Sequence, residues 1–231
     1  MTREPWVGGS FLHYLAPTDR DFLLGRARIR TLPADTVIMH EGDPTDHVLV
    51  LLSGWVRAYR RSRDGQVVLF ALRGPGDIIG EIAALQGWPR SVTIESLQET
   101  EFAQFTHEGF LACLHDRPAV GIALFKQLSV RLRDAEAARL NSATMDVAQR
   151  VAALLVQLAA AHGSPSPDGV VIGMPLTQQD IADSIGGSRR AVARALKTFR
   201  DRGILLTSRQ RFVVSALDVL RRLAGSAPDG T

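Results

Sequence analysis

From Arg30 to Thr106 apolar residues come in short runs closed by glycine, proline and aspartate, which is the pattern of strands and tight turns. Thr36–Met39, His47–Leu52, Trp55–Arg60, Val67–Leu72, Ser91–Ser96 and Glu101–Thr106 read as strands. Glu41-Gly42-Asp43-Pro44, Ser53-Gly54, Asp64-Gly65 and Gly74-Pro75-Gly76-Asp77 supply the turns, and Ile79–Leu85 reads as a short helix. Evenly spaced short strands of this kind predict a small β-barrel or roll. Outside that stretch the period is helical. Phe11 to Ile29 is expected to form helix, with Thr18, Asp19 and Asp21 near a start. Pro118 opens a long helix on which Phe125, Leu128, Leu132 and Ala135 recur at three-and-four spacing, a heptad seam. Arg139 and Ser142 continue the register with polar residues, so the seam weakens. It fits a partner helix, and equally the flank of the chain's own roll. Val151–Ala161 is apolar but too short to span a bilayer, and reads as a core helix.

The most informative stretch is Leu176–Leu205. Thr177 is placed to cap a helix, with Asp180 three residues on in the capping-box position. Ile181, Ala182 and Ile185 then share one face. Gly186-Gly187 break the helix and Ser188 caps a second, from Arg189 to about Arg202. On that second helix Val192, Ala195, Leu196 and Phe199 form the apolar face, leaving Arg189, Arg190, Arg194 and Lys197 outside. Small Ala182, the turn glycine, the caps and the basic face agree on a helix-turn-helix. An ordinary helical hairpin with a solvated basic face is the alternative.

Further along, Gly163–Gly169 reads as a flexible loop before a strand pair at Val170–Met174. Gly203–Leu206 and Phe212–Val214 flank Thr207–Arg211 as two strands, with Arg209 and Arg211 at the tip as phosphate contacts or as part of a solvated turn. Ala216–Leu223 reads as a last short helix and Ala224–Thr231 as a frayed tail.

Charge sharpens the picture. Residues 1–145 carry 16 basic and 17 acidic side chains, residues 146–231 carry 11 and 7, and Gly186–Arg211 alone carries 8 against 1. Basic charge thus collects on the second helix and the segment after it, the footprint expected for a polyanion partner. At 231 residues and 45% hydrophobic the chain suits two modest globular domains. The single cysteine, Cys113, excludes an intrachain disulfide framework and a cysteine-rich metal site, and its apolar surroundings read as core. MTREPWVGG lacks a signal-peptide pattern, so a soluble cytoplasmic protein with no membrane partner is expected. The six histidines show no metal-ligand spacing and there is no Walker-type phosphate loop. No metal site and no enzyme are expected.

One segment inside the roll stands apart, GDIIGEIAALQGWPRSVTIES. Glu81 starts a short helical turn, and Arg90-Ser91 enter a strand. Arginine offers a fork of donors to phosphate, and a carboxylate accepts from a ribose hydroxyl. The segment is a candidate phosphosugar pocket, and it also fits an internal Glu81–Arg90 ion pair that closes the loop.

The Glu41-Gly42-Asp43 turn, the Ser53-Gly54 turn, the GE…PRS cassette, the long helix and the helix-turn-helix, in this order, resemble the cyclic-AMP receptor protein and fumarate–nitrate reduction regulator (CRP/FNR) family of bacterial transcription factors. The likeness runs from about Arg30 to Leu223. It implies an α+β chain: a cyclic-nucleotide-binding-type β-roll over residues 1–117, a dimerisation helix and hinge over 118–145, and a winged helix-turn-helix over 146–231. The hinge falls near Ala143–Asp146. It implies a homodimer on a palindromic operator in double-stranded DNA, with RNA polymerase as a partner. The dimer seam is then Phe125, Leu128, Leu132, Ala135 and Arg139. DNA contacts fall to Thr177, Gln178, Ser188, Arg189, Arg190, Arg194, Lys197, Arg200, Arg209 and Arg211.

By the same resemblance Glu81 meets a ribose 2′-hydroxyl, and Arg90 with Ser91 meets a cyclic phosphate. Gly80, Ile82, Val92 and Arg131 complete that side. Three departures matter. Ala135 and Glu136 stand where the cyclic-AMP receptor carries Thr and Ser facing the base, so two hydroxyls are lost. Val92 replaces the usual Ala after Arg-Ser. Arg190 replaces a Glu that accepts from a cytosine amine. The effector is therefore left unknown: cyclic AMP is expected to bind poorly or not to switch the chain, leaving another nucleotide or none. A haem-type sensor on the same fold would need His or Cys113 as a ligand, and no ligating pair is marked. A nucleotide-binding module without a DNA role is the remaining alternative.

Overall fold

A computed structural model describes residues 9–208 and 211–225. They belong to two compact units, Met1–Leu132 and Arg133–Thr231, that part within the long helix.

The first unit opens with a 3-10 turn, Leu12–Tyr14, and α1 (Pro17–Leu24). Helix was expected as far as Ile29. It ends instead at Gly25, and Arg28–Leu32 is β1. The reason is non-local: these five residues pair antiparallel with β8 (Thr100–Phe105), Ile29 opposite Ala103, and that ladder outweighs local helical preference. Between them come β2 (Val37–Met39), β3 (Val48–Ser53), β4 (Val56–Arg61), β5 (Val67–Arg73), β6 (Ile78–Ile79), α2 (Glu81–Gln86) and β7 (Thr93–Ser96). All lie within a few residues of the runs read above except β6. That strand was not expected, and it takes Ile79 from the head of the expected helix because it pairs with Leu49 and Val50 of β3. Two four-stranded antiparallel sheets result, in the orders β1-β8-β3-β6 and β2-β7-β4-β5.

Strand β3 shows why the sequence is apolar without alternation there. Successive side chains point to opposite faces, and both faces are covered. Val48 and Val50 pack with Phe11, Leu23, Phe110 and Leu124 of the helical layer. Leu49 and Leu51 face the other way, against Met39, Val56, Ile94 and Phe102 inside the roll. The helical layer is completed by α3 (His107–Asp116), capped by Thr106, whose hydroxyl accepts from Gly109 N–H at 3.1 Å, and by the start of α4 (Pro118–Thr144). Cys113 is fully buried there, and burial pushes its thiol pKa up, as fits an inert core residue.

The second unit runs α5 (Val147–His162), β9 (Gly163–Ser166), β10 (Gly169–Ile172), α6 (Gln178–Ile185), α7 (Arg189–Asp201), β11 (Leu205–Ser208), β12 (Arg211–Val214) and α8 (Leu217–Leu223). Asp146 and Gln149 form a reciprocal capping box at the head of α5. The expected loop at Gly163–Gly169 is corrected: Gly163–Ser166 is itself a strand, paired with β10, and Pro167-Asp168 alone make the turn. Its composition argues against a strand. However, β9 lies at the edge of the sheet β11-β12-β10-β9, where Pro165 need not donate to a neighbour. Among the described residues no helix is long and apolar enough to cross a membrane.

Candidate nucleic-acid interface and effector pocket

The helix-turn-helix is built from local chemistry. Thr177 N–H donates to Asp180 Oδ2 at 2.9 Å, the Thr177 hydroxyl donates to the same oxygen at 2.6 Å, and Asp180 N–H donates back to Thr177 Oγ1 at 3.1 Å. The Thr177 hydroxyl is thereby committed to its cap. Helix α6 ends at Gly186, φ +62°, a left-handed residue that glycine adopts without strain. Arg150, from α5, donates to the Ile185 carbonyl at 2.8 Å and so satisfies an orphan acceptor at the helix end.

Ser188 then caps α7, accepting from Ala191 N–H at 3.2 Å. Val192, Ala195, Leu196 and Phe199 are buried, while Arg189, Arg190, Arg194, Lys197 and Arg200 are exposed. Lys197 Nζ lies 3.5 Å from Asp201 and is partly neutralised. Gln178 is half-buried and Ser188 exposed, flanking the helix starts. Leu205–Ser208 and Arg211–Val214 form the wing, with Arg211 exposed on it; Arg209 lies outside the described residues.

In the roll, Gly80 has φ +83°, and a Cβ there would stand 2.7 Å from Arg90 Nη1 and 2.9 Å from the His47 carbonyl oxygen. The absent side chain lets the Arg90 guanidinium lie against the backbone. Arg90, 4% exposed, donates from Nη1 to the Gly80 carbonyl (2.9 Å), from Nη2 to the His47 carbonyl (2.7 Å) and from Nε to Thr45 Oγ1 (2.9 Å). Burial lowers its pKa, with the carboxylate of Asp46 the largest opposing charge. Burial likewise lowers the pKa of His47, with the neighbouring Arg90 charge adding to it.

The internal Glu81–Arg90 ion pair allowed by the spacing is not formed. Glu81, 3% exposed, instead accepts from Arg131 Nη1 at 2.7 Å. Arg131 comes from α4, and its Nη2 donates to the Ile78 carbonyl at 2.6 Å. Ser91 is exposed, Ile82 is largely exposed, and Val92 packs against the inner core of the roll. Ala135 and Glu136, one turn beyond Arg131 along the helix, are exposed. Sequence reasoning missed Asp77 and Gln127, which hold each other at 2.5 Å beside Arg131. The signal available was a glutamine at helical spacing among Ala123, Leu124 and Leu128.

Along α4 the assigned seam is uneven. Phe125 is 72% and Leu132 62% exposed, as are Ile122 and Leu140 to similar degrees. Ala135 and Arg139 are exposed too. Leu128, however, is half-buried and packs against the helical core of the roll. The apolar surface open to a partner is therefore Ile122, Phe125, Leu132 and Leu140.

A β-roll carrying a GE…RS cassette, a long helix and a winged helix-turn-helix with an exposed basic recognition face define a two-unit DNA-binding regulator. Comparison with known proteins agrees. The family model described as the cyclic nucleotide-binding domain matches residues 29–117, and that described as the Crp-like helix-turn-helix domain matches residues 149–223. A CRP-like cAMP-activated global transcriptional regulator from Mycobacterium tuberculosis is 30% identical, over 83% of this chain and 86% of that protein. The cyclic AMP receptor protein of Thermus thermophilus is 28% identical, over 86% and 88%. The structure of FixK2 from Bradyrhizobium japonicum superposes with a TM-score of 0.76 at 23% identity, covering 88% of this chain and 99% of that one. The chain belongs to the CRP/FNR family of transcription regulators, which bind DNA and act as dimers.

Proposed function

We propose that the chain is a cytoplasmic, homodimeric regulator that binds a palindromic operator, with α7 of each protomer in the major groove and RNA polymerase as its partner at promoters. The observation that carries this reading is the division of α7 into four buried apolar residues and five exposed cations, on a helix capped at Ser188. Arg189 and Arg194 would each fork onto the O6 and N7 of a guanine. Arg200, Arg209 and Arg211 would hold phosphates and set register. The self-association surface would be Ile122, Phe125, Leu132 and Leu140, the exposed apolar side chains of α4.

The roll is the regulatory half in this reading. The relative from Mycobacterium tuberculosis is described as cAMP-activated. By sequence, Ala135 and Glu136 stand where the cyclic-AMP receptor carries Thr and Ser, two hydroxyls are lost, and cyclic AMP is a poor effector. In vitro selection from random duplexes tests the DNA claim. The expected product is two inverted half-sites whose centres lie about one helical turn apart. Enrichment of no sequence, with or without added nucleotide, would overturn it.

A further inference from the structure

The two helices of the DNA-reading motif meet at Gly186-Gly187, and two successive glycines leave the direction of the second helix open. The N–H groups of both glycines donate to the Ala182 carbonyl, that of Gly187 at 2.9 Å, and close the end of α6. The last carbonyl of the helix, Ile185, is left for a partner from elsewhere, and Arg150 Nη1 takes it at 2.8 Å. Val147 stands one turn before Arg150 on α5. A Cβ on Gly187 would meet Val147 Cγ1 at 3.7 Å and the Ile185 side chain at 3.4 Å. The first turn of α5 therefore backs the glycine turn with an apolar contact and a charged donor. That first turn is itself held by the capping box of Asp146 and Gln149.

We propose that Arg150 is a positioning residue for DNA recognition: it acts through the Ile185 carbonyl to set the angle at which α7 presents Arg189 and Arg194. The proposal rests on the DNA-binding reading above. Its first ground is location. The bond is made at the turn itself, while the buried apolar face of α7 is supplied by Val192, Ala195, Leu196 and Phe199 further along. The second is chemistry. Arg150 Nε is buried without a partner, a cost that an apolar side chain of similar length would avoid. What favours arginine is the bond from Nη1, together with a cation beside the C-terminal end of α6, where the helix dipole is negative. The third is leverage. A tilt of ~10° about Ser188 displaces Arg194 by about 1.5 Å, at ~1.5 Å of rise per residue. Hydrogen-bond lengths vary by only ~0.5 Å, so a fork onto a guanine edge is lost at that displacement. Contacts to phosphates, made by long side chains and carrying no sequence information, survive it.

The test uses the full-length chain. A duplex selected from a random pool by the wild-type protein, and an unrelated duplex of the same length, are titrated by fluorescence anisotropy over a salt series. Melting temperatures are followed by circular dichroism. Arg150→Met keeps the stem and removes the donor and the charge. It should lower the preference for the selected duplex about tenfold, the scale of one lost base contact. Affinity for the unrelated duplex should stay within about twofold of wild type, with an unchanged salt slope. Arg150→Lys keeps the charge and one donor, and should hold the preference within about threefold.

A folded methionine variant with the full preference would overturn the proposal and leave Arg150 a structural residue. Equal losses on both duplexes with a shallower salt slope would also overturn it, because they would make Arg150 a phosphate contact. Should the methionine variant not fold, Arg150→Gln carries the same two expectations, being polar at this half-buried position but too short to reach the Ile185 carbonyl. Failure of the wild-type chain to enrich any sequence would instead sink the DNA-binding reading itself, and the proposal with it.

Discussion

Arg200→Ala is the perturbation whose size the interface predicts most directly. Arg200 is exposed in the last turn of α7 and carries no ion pair among the described residues, so its charge is available to a phosphate. A homodimer carries the substitution twice. Each lost phosphate contact lowers the slope of log affinity against log salt by about 0.9, so the dimer loses about 1.8. Extrapolated from the one-molar reference to about 0.15 M salt, that is roughly a thirtyfold loss of affinity, or ~2 kcal/mol. The loss should be nearly the same on every duplex, because phosphates carry no sequence information. Asp201→Ala provides the opposite sign. It frees Lys197 from its 3.5 Å partner and should steepen the slope. Anisotropy titrations over a salt series on a selected and an unrelated duplex measure both. An Arg200→Ala protein that kept the wild-type slope but changed its base preference would refute the assignment.

Leu132→Asp places a charge in the exposed apolar stripe of α4. By removing two buried leucines from a dimer, at about 1.5 kcal/mol or more each, it should weaken self-association at least about a hundredfold in sedimentation equilibrium. Thr177→Val keeps the shape and removes the hydroxyl that both caps α6 and donates to Asp180, leaving a buried carboxylate short of a donor. It should cost about 1–2 kcal/mol in urea unfolding of the full chain. His47 titrates below its ordinary 6.5 in the native roll, chiefly through burial. The unfolded chain therefore takes up that proton first as pH falls, and stability declines below about pH 6.5 until native His47 itself protonates. His47→Gln should remove that part of the pH dependence, and an unchanged dependence would show that other groups set it.

What was legible in the sequence was what is local. The cap at Thr177, the break at Gly186, the cap at Ser188 and the apolar face of α7 all lie within a few residues of one another, and each was visible as a pattern. What was not legible depends on partners far along the chain. Strand β1 exists because β8 offers an edge to Arg28–Leu32, and β9 exists because β10 does the same for a glycine- and proline-rich segment. The cassette shows both sides. Its glutamate and arginine were evident. Spacing made them neighbours of each other, yet Glu81 found Arg131 fifty positions later, and Arg90 turned to the carbonyls that Gly80 leaves open. Leu128 carried the heptad period, but the roll claimed it.

Arg190 is where this chain should part from its family in DNA sequence. The family's glutamate at that place accepts from a cytosine amine, and its half-site is TGTGA. Arg190 is exposed near the start of α7, and a guanidinium has donors only. At the base pair it faces it can fork onto guanine or turn to a phosphate, but it cannot accept from cytosine. Arg189 and Arg194 keep the family's spacing, so their guanines and the two-fold separation of half-sites should persist. Selection should return a half-site changed at the one base pair read by Arg190, and Arg190→Glu should restore the family's base there. A direct bidentate contact is worth about 1–3 kcal/mol of discrimination, so the preference should be roughly tenfold or more in a competition between the two duplexes. Recovery of unmodified TGTGA half-sites by the wild-type chain, with Arg190→Glu neutral, would mean that Arg190 does not read a base at all.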